Sequence, residues 1–284
     1  MRIVHAEAVR AGWDSARPPE QGWVPVTLAD QWQTRWAGHD GVVWYRLRWQ
    51  QADAGEPTGL LLDYTCMAAA VYLNGSLIDR DPSLVEPLSR SWHIPRYFLL
   101  QAPLLEPGEN ELLVRVSGLA AYQPSFGVVD VGDPQVLQAR YRQEVLVRHD
   151  LQVLDSAIGF VLAAMIGLFW LLRRQETMYG WYALSAVFGR LYDTNFFAAS
   201  PWPFPSTDGW QAFIGGCYVM AAAAHTVFLL RFSQRRWPRF ERLLLGIAVA
   251  LMAAALLWPQ WMGPYRNVYL VPVIAFLYLV SFVF

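Results

Sequence analysis

Beyond about residue 155 the apolar positions stop alternating with polar ones and run together. Residues 156–172 are an unbroken apolar run that closes on Arg173-Arg174, and residues 178–199 are apolar except for Arg190 and Asp193. Residues 212–230 hold His225 as their one basic group, 243–258 are short and fringed by Trp258 and Trp261, and 267–284 carry no charge. A helix that crosses a bilayer needs about 20 apolar residues. Five such runs in succession, joined by short loops, predict membrane helices. The competing reading, a helical bundle buried in a soluble protein, does not require that spacing.

The first half has a different period. Residues 41–50, GVVWYRLRWQ, are β-branched and aromatic with partial alternation, as in a strand packed on one face. Residues 60–64 and 69–73 are short apolar runs, and Asn74-Gly75 after the second predicts a two-residue hairpin turn. Pro107-Gly108-Glu109-Asn110 marks another turn, leading into the strand-like 111–116. Short strands punctuated by Gly, Pro and Asn predict an antiparallel sandwich or jelly roll. From residue 134 to 150 the pattern becomes helical, with Val136, Leu137, Tyr141, Val145 and Leu146 near one face, and this helix is expected to run on into the first span. The division expected is a β domain over 1–132, a connector over 133–155 and membrane helices over 156–284.

Composition sharpens this split. Of 284 residues, 55% are hydrophobic and 16% charged, with a net charge of −1. Mean hydropathy is +0.23. These values exclude a disordered chain and a basic nucleic-acid binder. Residues 1–150 hold 13 Arg against 18 acids, a balance of −5, whereas 151–284 hold 9 Arg against 5 acids, a balance of +4. No lysine is present, which removes Schiff-base and P-loop chemistry. The two cysteines, Cys66 and Cys217, fall in different solvents, and no metal-ligand spacing exists.

Charge in the short loops also orients the array. The loops after the first and third runs carry Arg173, Arg174, Arg231, Arg235, Arg236, Arg239 and Arg242, while the alternate loops carry only Arg266. The positive-inside tendency then places the Arg-rich loops in the cytoplasm and the first 150 residues outside, in the periplasm of a bacterial inner-membrane protein. Residues 1–23 have no apolar core for a signal peptide, and the chain stops at SFVF within an apolar run. The sequence therefore reads as a fragment of a longer protein.

Several pieces of the first half form a recognisable set: Gly22-Trp23 with Val26, Leu28 and Trp32, then Gly41 and Trp44-Tyr45-Arg46, then Val71-Tyr72-Leu73-Asn74-Gly75, then Pro107-Gly108-Glu109-Asn110 with Leu112. On these, residues 14–116 resemble the galactose-binding-like jelly roll, the sugar-binding domain at the N-terminus of family 2 glycoside hydrolases. The helical array, on its Arg173-Arg174 exit and the aromatic run 178–182, resembles the membrane region of bacterial seven-transmembrane receptors with diverse intracellular signalling modules. The resemblance implies a sensor whose output is a histidine kinase, slightly favoured, or a diguanylate cyclase. Five of the seven spans are visible, and no output domain is.

Candidate chemistry follows from residue type. Family 2 hydrolases use paired carboxylates, but the barrel domain that carries them is absent, and Glu109 and Glu111 sit at a solvated turn-to-strand edge. No nucleophile-elbow, zincin or P-loop pattern occurs, so no catalytic residue and no cofactor are assigned. Sugars are gripped by aromatic faces and planar polar groups, which Trp32, Trp36, His39, Asp40, Trp92 and His93 supply in loop-like stretches. Within the membrane, Arg190 and Asp193 stand three apart on one helix and are expected to pair. Asp155 reads as an interfacial residue and His225 as a packing residue. Expected partners are a small extracytoplasmic molecule or glycan, the bilayer, and a second copy in a homodimer; nucleic acid is not among them. The reading is the input half of a bacterial receptor. The alternatives are a transporter or channel with an external sugar-binding domain, and an envelope scaffold.

Overall fold

Alternation over the first 132 residues resolves into short strands. In the computed structural model, which describes residues 1–283, these are β1 (Arg2–Ile3), β2 (His5–Ala11), β3 (Val24–Thr27), β4 (Asp30–Gln31), β5 (Gly41–Gln51) and β6 (Thr58–Leu62), then β7 (Ala68–Leu73), β8 (Ser76–Arg80), β9 (Arg96–Leu100), β10 (Gly108–Gly118), β11 (Ser125–Phe126) and β12 (Val129–Gly132). They build a six-stranded sheet in the order β3-β2-β5-β10-β7-β8, a four-stranded sheet β1-β12-β6-β9, and the pair β11-β4. All pairings are antiparallel, and β5 and β10 form the longest ladder, from Gly41 opposite Gly118 to Gln51 opposite Gly108.

The main core comprises inward residues of both sheets. Val43, Tyr45, Leu47 and Trp49 of β5 and Leu112, Val114 and Val116 of β10 cluster with Leu60, Leu62, Phe126, Val129 and Val131. Each such side chain contributes roughly 1.5–3 kcal/mol by leaving water. The sequence suggested one packed face for β5; the structure covers both. Val42 and Trp44 join Val9 on the opposite side, with Trp23 and Tyr72 against them. Asn74 and Gly75 connect β7 and β8 with φ of +47° and +80°, the backbone that a type I′ hairpin turn requires.

Helix α1 (Pro134–Val145) starts where the Asp133 carboxylate accepts the Gln135 and Val136 amides at 2.8 and 3.0 Å, with Pro134 in the first turn. It docks on the β unit through buried Leu137, through Tyr141 beside Tyr97 at 5.9 Å, and through Arg140, 2.6 Å from Asp130. Of the apolar face expected there, Val136 turns outward at 65% exposure, because the docked stripe follows Leu137 and Tyr141. A π-turn at Leu146–Asp150 joins α1 to α2 (Leu151–Leu172), so that residues Pro134–Leu172 form one helix.

The chain divides into two compact units, residues 1–150 with 199–201 and residues 151–198 with 202 onward. The second unit contains α2, α3 (Thr177–Asp193), α4 (Thr207–Phe232), α5 (Pro238–Leu257), α6 (Pro259–Met262) and α7 (Arg266–Val283). Three described helices, Pro134–Leu172, Thr207–Phe232 and Pro238–Leu257, are long and apolar enough to cross a membrane. Most of α4 is buried among its neighbours, whereas α2 and α5 keep apolar side chains outward. The run expected over 178–199 ends as α-helix at Asp193. A 3-10 turn follows over Thr194–Phe196, with the Thr194 hydroxyl donating back to the Leu191 carbonyl at 2.6 Å. A hydroxyl that bonds its own backbone in this way favours helix ends.

Candidate functional site

In the β unit the loop after β4 gathers four of the residues singled out for ligand contact. Trp32 lies in a short 3-10 turn, is 0% exposed, belongs to the main core, and donates its indole N–H to the His39 carbonyl at 3.3 Å. That burial removes its ring as a sugar platform. Trp36 is half-buried; the Arg35 guanidinium sits 5.2 Å from its ring centre, and the His39 ring meets it edge-on at 6.5 Å. The His39 Nε2 atom lies 3.1 Å from the Val42 carbonyl oxygen. The Asp40 carboxylate accepts the Ala120 amide at 2.7 Å.

Beneath this loop, buried Asp30 pairs with Arg35 and accepts the Tyr45 hydroxyl at 2.8 Å. Burial, and then the Asp30 charge, push the Tyr45 phenol well above its ordinary value. The loop is therefore tied down from below, and Trp36 is its half-open aromatic surface. The second pair, Trp92 and His93, belongs to a separate loop before β9. Their rings meet edge-on at 5.5 Å, and His93, 3% exposed, stacks on His149 at 5.8 Å and 11°. Residue spacing could not reveal His149 as a neighbour, because it lies 56 residues further along the chain.

In the helical unit Arg190 meets two carboxylates. The Arg190 guanidinium lies 3.0 Å from the Asp193 carboxylate on its own helix and also pairs with Asp155 on α2. Asp155 is thus an ion-pair partner as well as a residue near the end of a span. Gly159, one turn after Asp155, makes the crossing feasible. A Cβ there would collide with the Arg190 Cδ, so the arginine stem occupies the space a side chain would need. Two carboxylates against one guanidinium leave the trio at −1 when all are ionised.

Beside the trio is a cavity of about 480 Å3, lined among others by Asp155, Gly159, Ser185, Arg190, Tyr218 and His225. The Ser185 hydroxyl donates to the Ala221 carbonyl at 3.1 Å, tying α3 to α4, and the Tyr192 and Tyr218 rings pack at 4.9 Å. His225 packs on Phe228 at 5.8 Å and also faces this cavity. Chemically, the arrangement is a charged clamp between α2 and α3 beside a partly polar chamber.

No protein-family model matches the chain, and no curated protein matches it in sequence. Likeness is found among solved structures. A β-glucuronidase from an uncultured Clostridium sp. is similar over 41% of this chain and 22% of its own, at 17% identity and a TM-score of 0.35. The Faecalibacterium prausnitzii β-glucuronidase is similar over 48% of this chain and 32% of its own, at 15% identity and a TM-score of 0.37. A β-glucuronidase from glycoside hydrolase family 2 is similar over 40% of this chain and 13% of its own, at 21% identity and a TM-score of 0.32. The chain thus spans less than a third of the length of each of these enzymes.

Proposed function

We propose that this chain is the sensory input half of a bacterial membrane receptor. A jelly roll outside the cytoplasm binds a small molecule or glycan, and five membrane helices relay the change to a cytoplasmic output outside these residues. That output is a histidine kinase in preference to a diguanylate cyclase, on the resemblance of the array. The observation that carries the reading is the helix Pro134–Leu172, whose first turns dock on the β unit and whose later residues are apolar enough to span. Ligand-dependent signalling requires two states with different ligand affinity, and a helix shared by a binding unit and a span is a direct way to link them. The clamp of Asp155, Arg190 and Asp193 supports it, since it joins the middle of that helix to α3.

Topology is testable first. Alkaline phosphatase fused after Val116, with the native upstream sequence retained, is expected to be active. An inactive fusion together with an active cytoplasmic reporter at the same site overturns the orientation. The class is tested by the reading frame downstream of residue 284: a transmitter or cyclase domain supports a receptor, and a transport domain there overturns it. The transporter reading draws on the cavity of about 480 Å3 between the helices, and predicts uptake that is lost when Arg190 is replaced.

A further inference from the structure

The outer face of the six-stranded sheet carries charge that the preceding sites do not use. Strand register sets its layout. Arg115 on β10 stands opposite Ala70 on β7, and Ala70 stands opposite Arg80 on β8. Residues directly opposite one another in an antiparallel sheet share a face, so two arginines flank one alanine, about 10 Å apart across two strand spacings. Tyr72, two residues along β7, joins the same face by the period of two. Beside this row the segments 13–16 and 82–85 leave a cavity of about 320 Å3, lined by Trp13, Asp14, Tyr72, Leu84, Arg80 and Arg115 among others.

The charges there are unbalanced. Arg115 is 5% exposed and, among the described residues, is held by neutral oxygens only. Its Nε donates to the Ser15 carbonyl at 3.1 Å, one terminal nitrogen to the Trp13 carbonyl at 2.9 Å, and the other to the Ser117 hydroxyl at 2.6 Å and the Leu84 carbonyl at 3.5 Å. These bonds leave one N–H of the guanidinium uncommitted. Burial holds this group below the usual arginine value; Tyr72 opposes the shift and Arg80 adds to it. Arg80 is exposed and makes no ion pair among the described residues. Two cations therefore face one acid, Asp14, around one cavity. A buried charge without a counter-ion is costly, and an anion entering the cavity would relieve that cost.

We propose that this cavity binds a small ring-bearing monocarboxylate, gripped by Arg80 and Arg115 and flanked by Trp13 and Tyr72. The excess of one positive charge matches a monoanion. The Arg80 fork suits two-point recognition of a carboxylate, and aromatic walls suit a ring. A volume near the small end of ligand clefts restricts the occupant to about a single ring with its substituents. The site depends only on the β unit, so it stands whether or not the chain is a receptor.

The test is calorimetric titration of the full chain in detergent micelles with two matched pairs, glucuronate against glucose and benzoate against benzyl alcohol. At least one acid is expected to bind, with its neutral counterpart about tenfold or more weaker. Arg80→Gln, at an exposed position, is expected to weaken that acid by a similar factor with an unchanged melting temperature, and inorganic phosphate should not displace it. The proposal is overturned if neither acid binds, if acid and neutral forms bind alike, if phosphate competes equally, or if Arg80→Gln has no effect. Binding is read on the purified chain, so its failure is distinct from a failure of topology or signalling.

Discussion

Asn110 is the position where one amide holds the most structure in the β unit, and Asn110→Ala is expected to cost about 2–4 kcal/mol. The side chain is 0% exposed. Its Oδ1 accepts the Glu106 amide at 2.9 Å and the Asn74 Nδ2 at 2.8 Å, and its Nδ2 donates to the Glu106 carbonyl at 2.6 Å. Asn74 in turn accepts the Glu111 amide at 2.8 Å and donates to the Leu104 carbonyl at 2.9 Å. The network thus ties the β7–β8 turn to the turn that starts β10. Four hydrogen bonds vanish with the Asn110 amide, the fourth a long one from its Nδ2 to the Gly108 carbonyl at 3.4 Å; the three short ones are worth about 1 kcal/mol net each, and orphaning a buried partner adds to the loss. Exposed Glu106 can recover water, which keeps the total below the sum of the worst cases. Asn110→Asp keeps the shape but sets an acceptor against the Glu106 carbonyl, so a similar loss is expected at neutral pH, with partial recovery in mild acid as the carboxyl takes a proton. Trp49, opposite Asn110 in the ladder and nearly fully buried, is one of 14 tryptophans, so the loss is read from the overall fluorescence change during urea unfolding of wild type and variant alike. Asn74→Ala combined with Asn110→Ala should show a coupling of about 0.5–1.5 kcal/mol. A single-variant loss below about 0.5 kcal/mol, or strict additivity, refutes the network as a stabilising unit.

Three further outcomes are expected. Gly75→Val, at φ +80°, should destabilise the chain by about 1 kcal/mol or more in the same unfolding assay, whereas Gly75→Asn should be tolerated better. Burial works against the charged form of Asp130, but the hydrogen bonds and charges of Arg2 and Arg140 outweigh it and hold its carboxyl below the ordinary value. Its stabilisation is therefore complete above about pH 4, the unfolded value, and falls away as pH drops through the lower folded value. Protection of the α1 amides, taken from hydrogen-exchange rates divided by the intrinsic rate at each pH, should fall in acid, and Asp130→Asn should flatten that dependence. In the helical unit, Arg190→Ala strands two carboxylates, whereas Asp193→Ala leaves the Asp155 pair intact. With an uncompensated charge costing about 2.5–3.5 kcal/mol at a helix centre, the arginine variant should lower membrane abundance more. Adding Asp155→Asn to Arg190→Ala should recover part of the loss; equal, additive effects on an abundance blot would refute the clamp.

Signals that live within a few residues were legible. The Asn74-Gly75 turn, the strand 41–50, the helical stretch after Pro134 and the long apolar runs follow from φ preference, side-chain period and unbroken hydrophobicity, all properties of contiguous chain. Strand β2, HAEAVRA, carries little local strand signal because alanine is a weak strand former; pairing with β5 makes it a strand. Which tryptophan is core and which is half-open was equally hidden. Trp32 and Trp36 are separated by one turn of chain, yet their fates depend on where Phe126, Val129 and the opposite sheet close over the loop. Charge partnership was the least legible of all. Asp155 and Arg190 lie 35 residues apart, and Arg2 and Asp130 lie 128 apart. Arg115 and Arg80 share a face only through Ala70 on the strand between them. Period is written locally, so sequence determined the elements. Register, helix contact and the balance of buried charge arise when distant segments meet, and only the tertiary structure decided them.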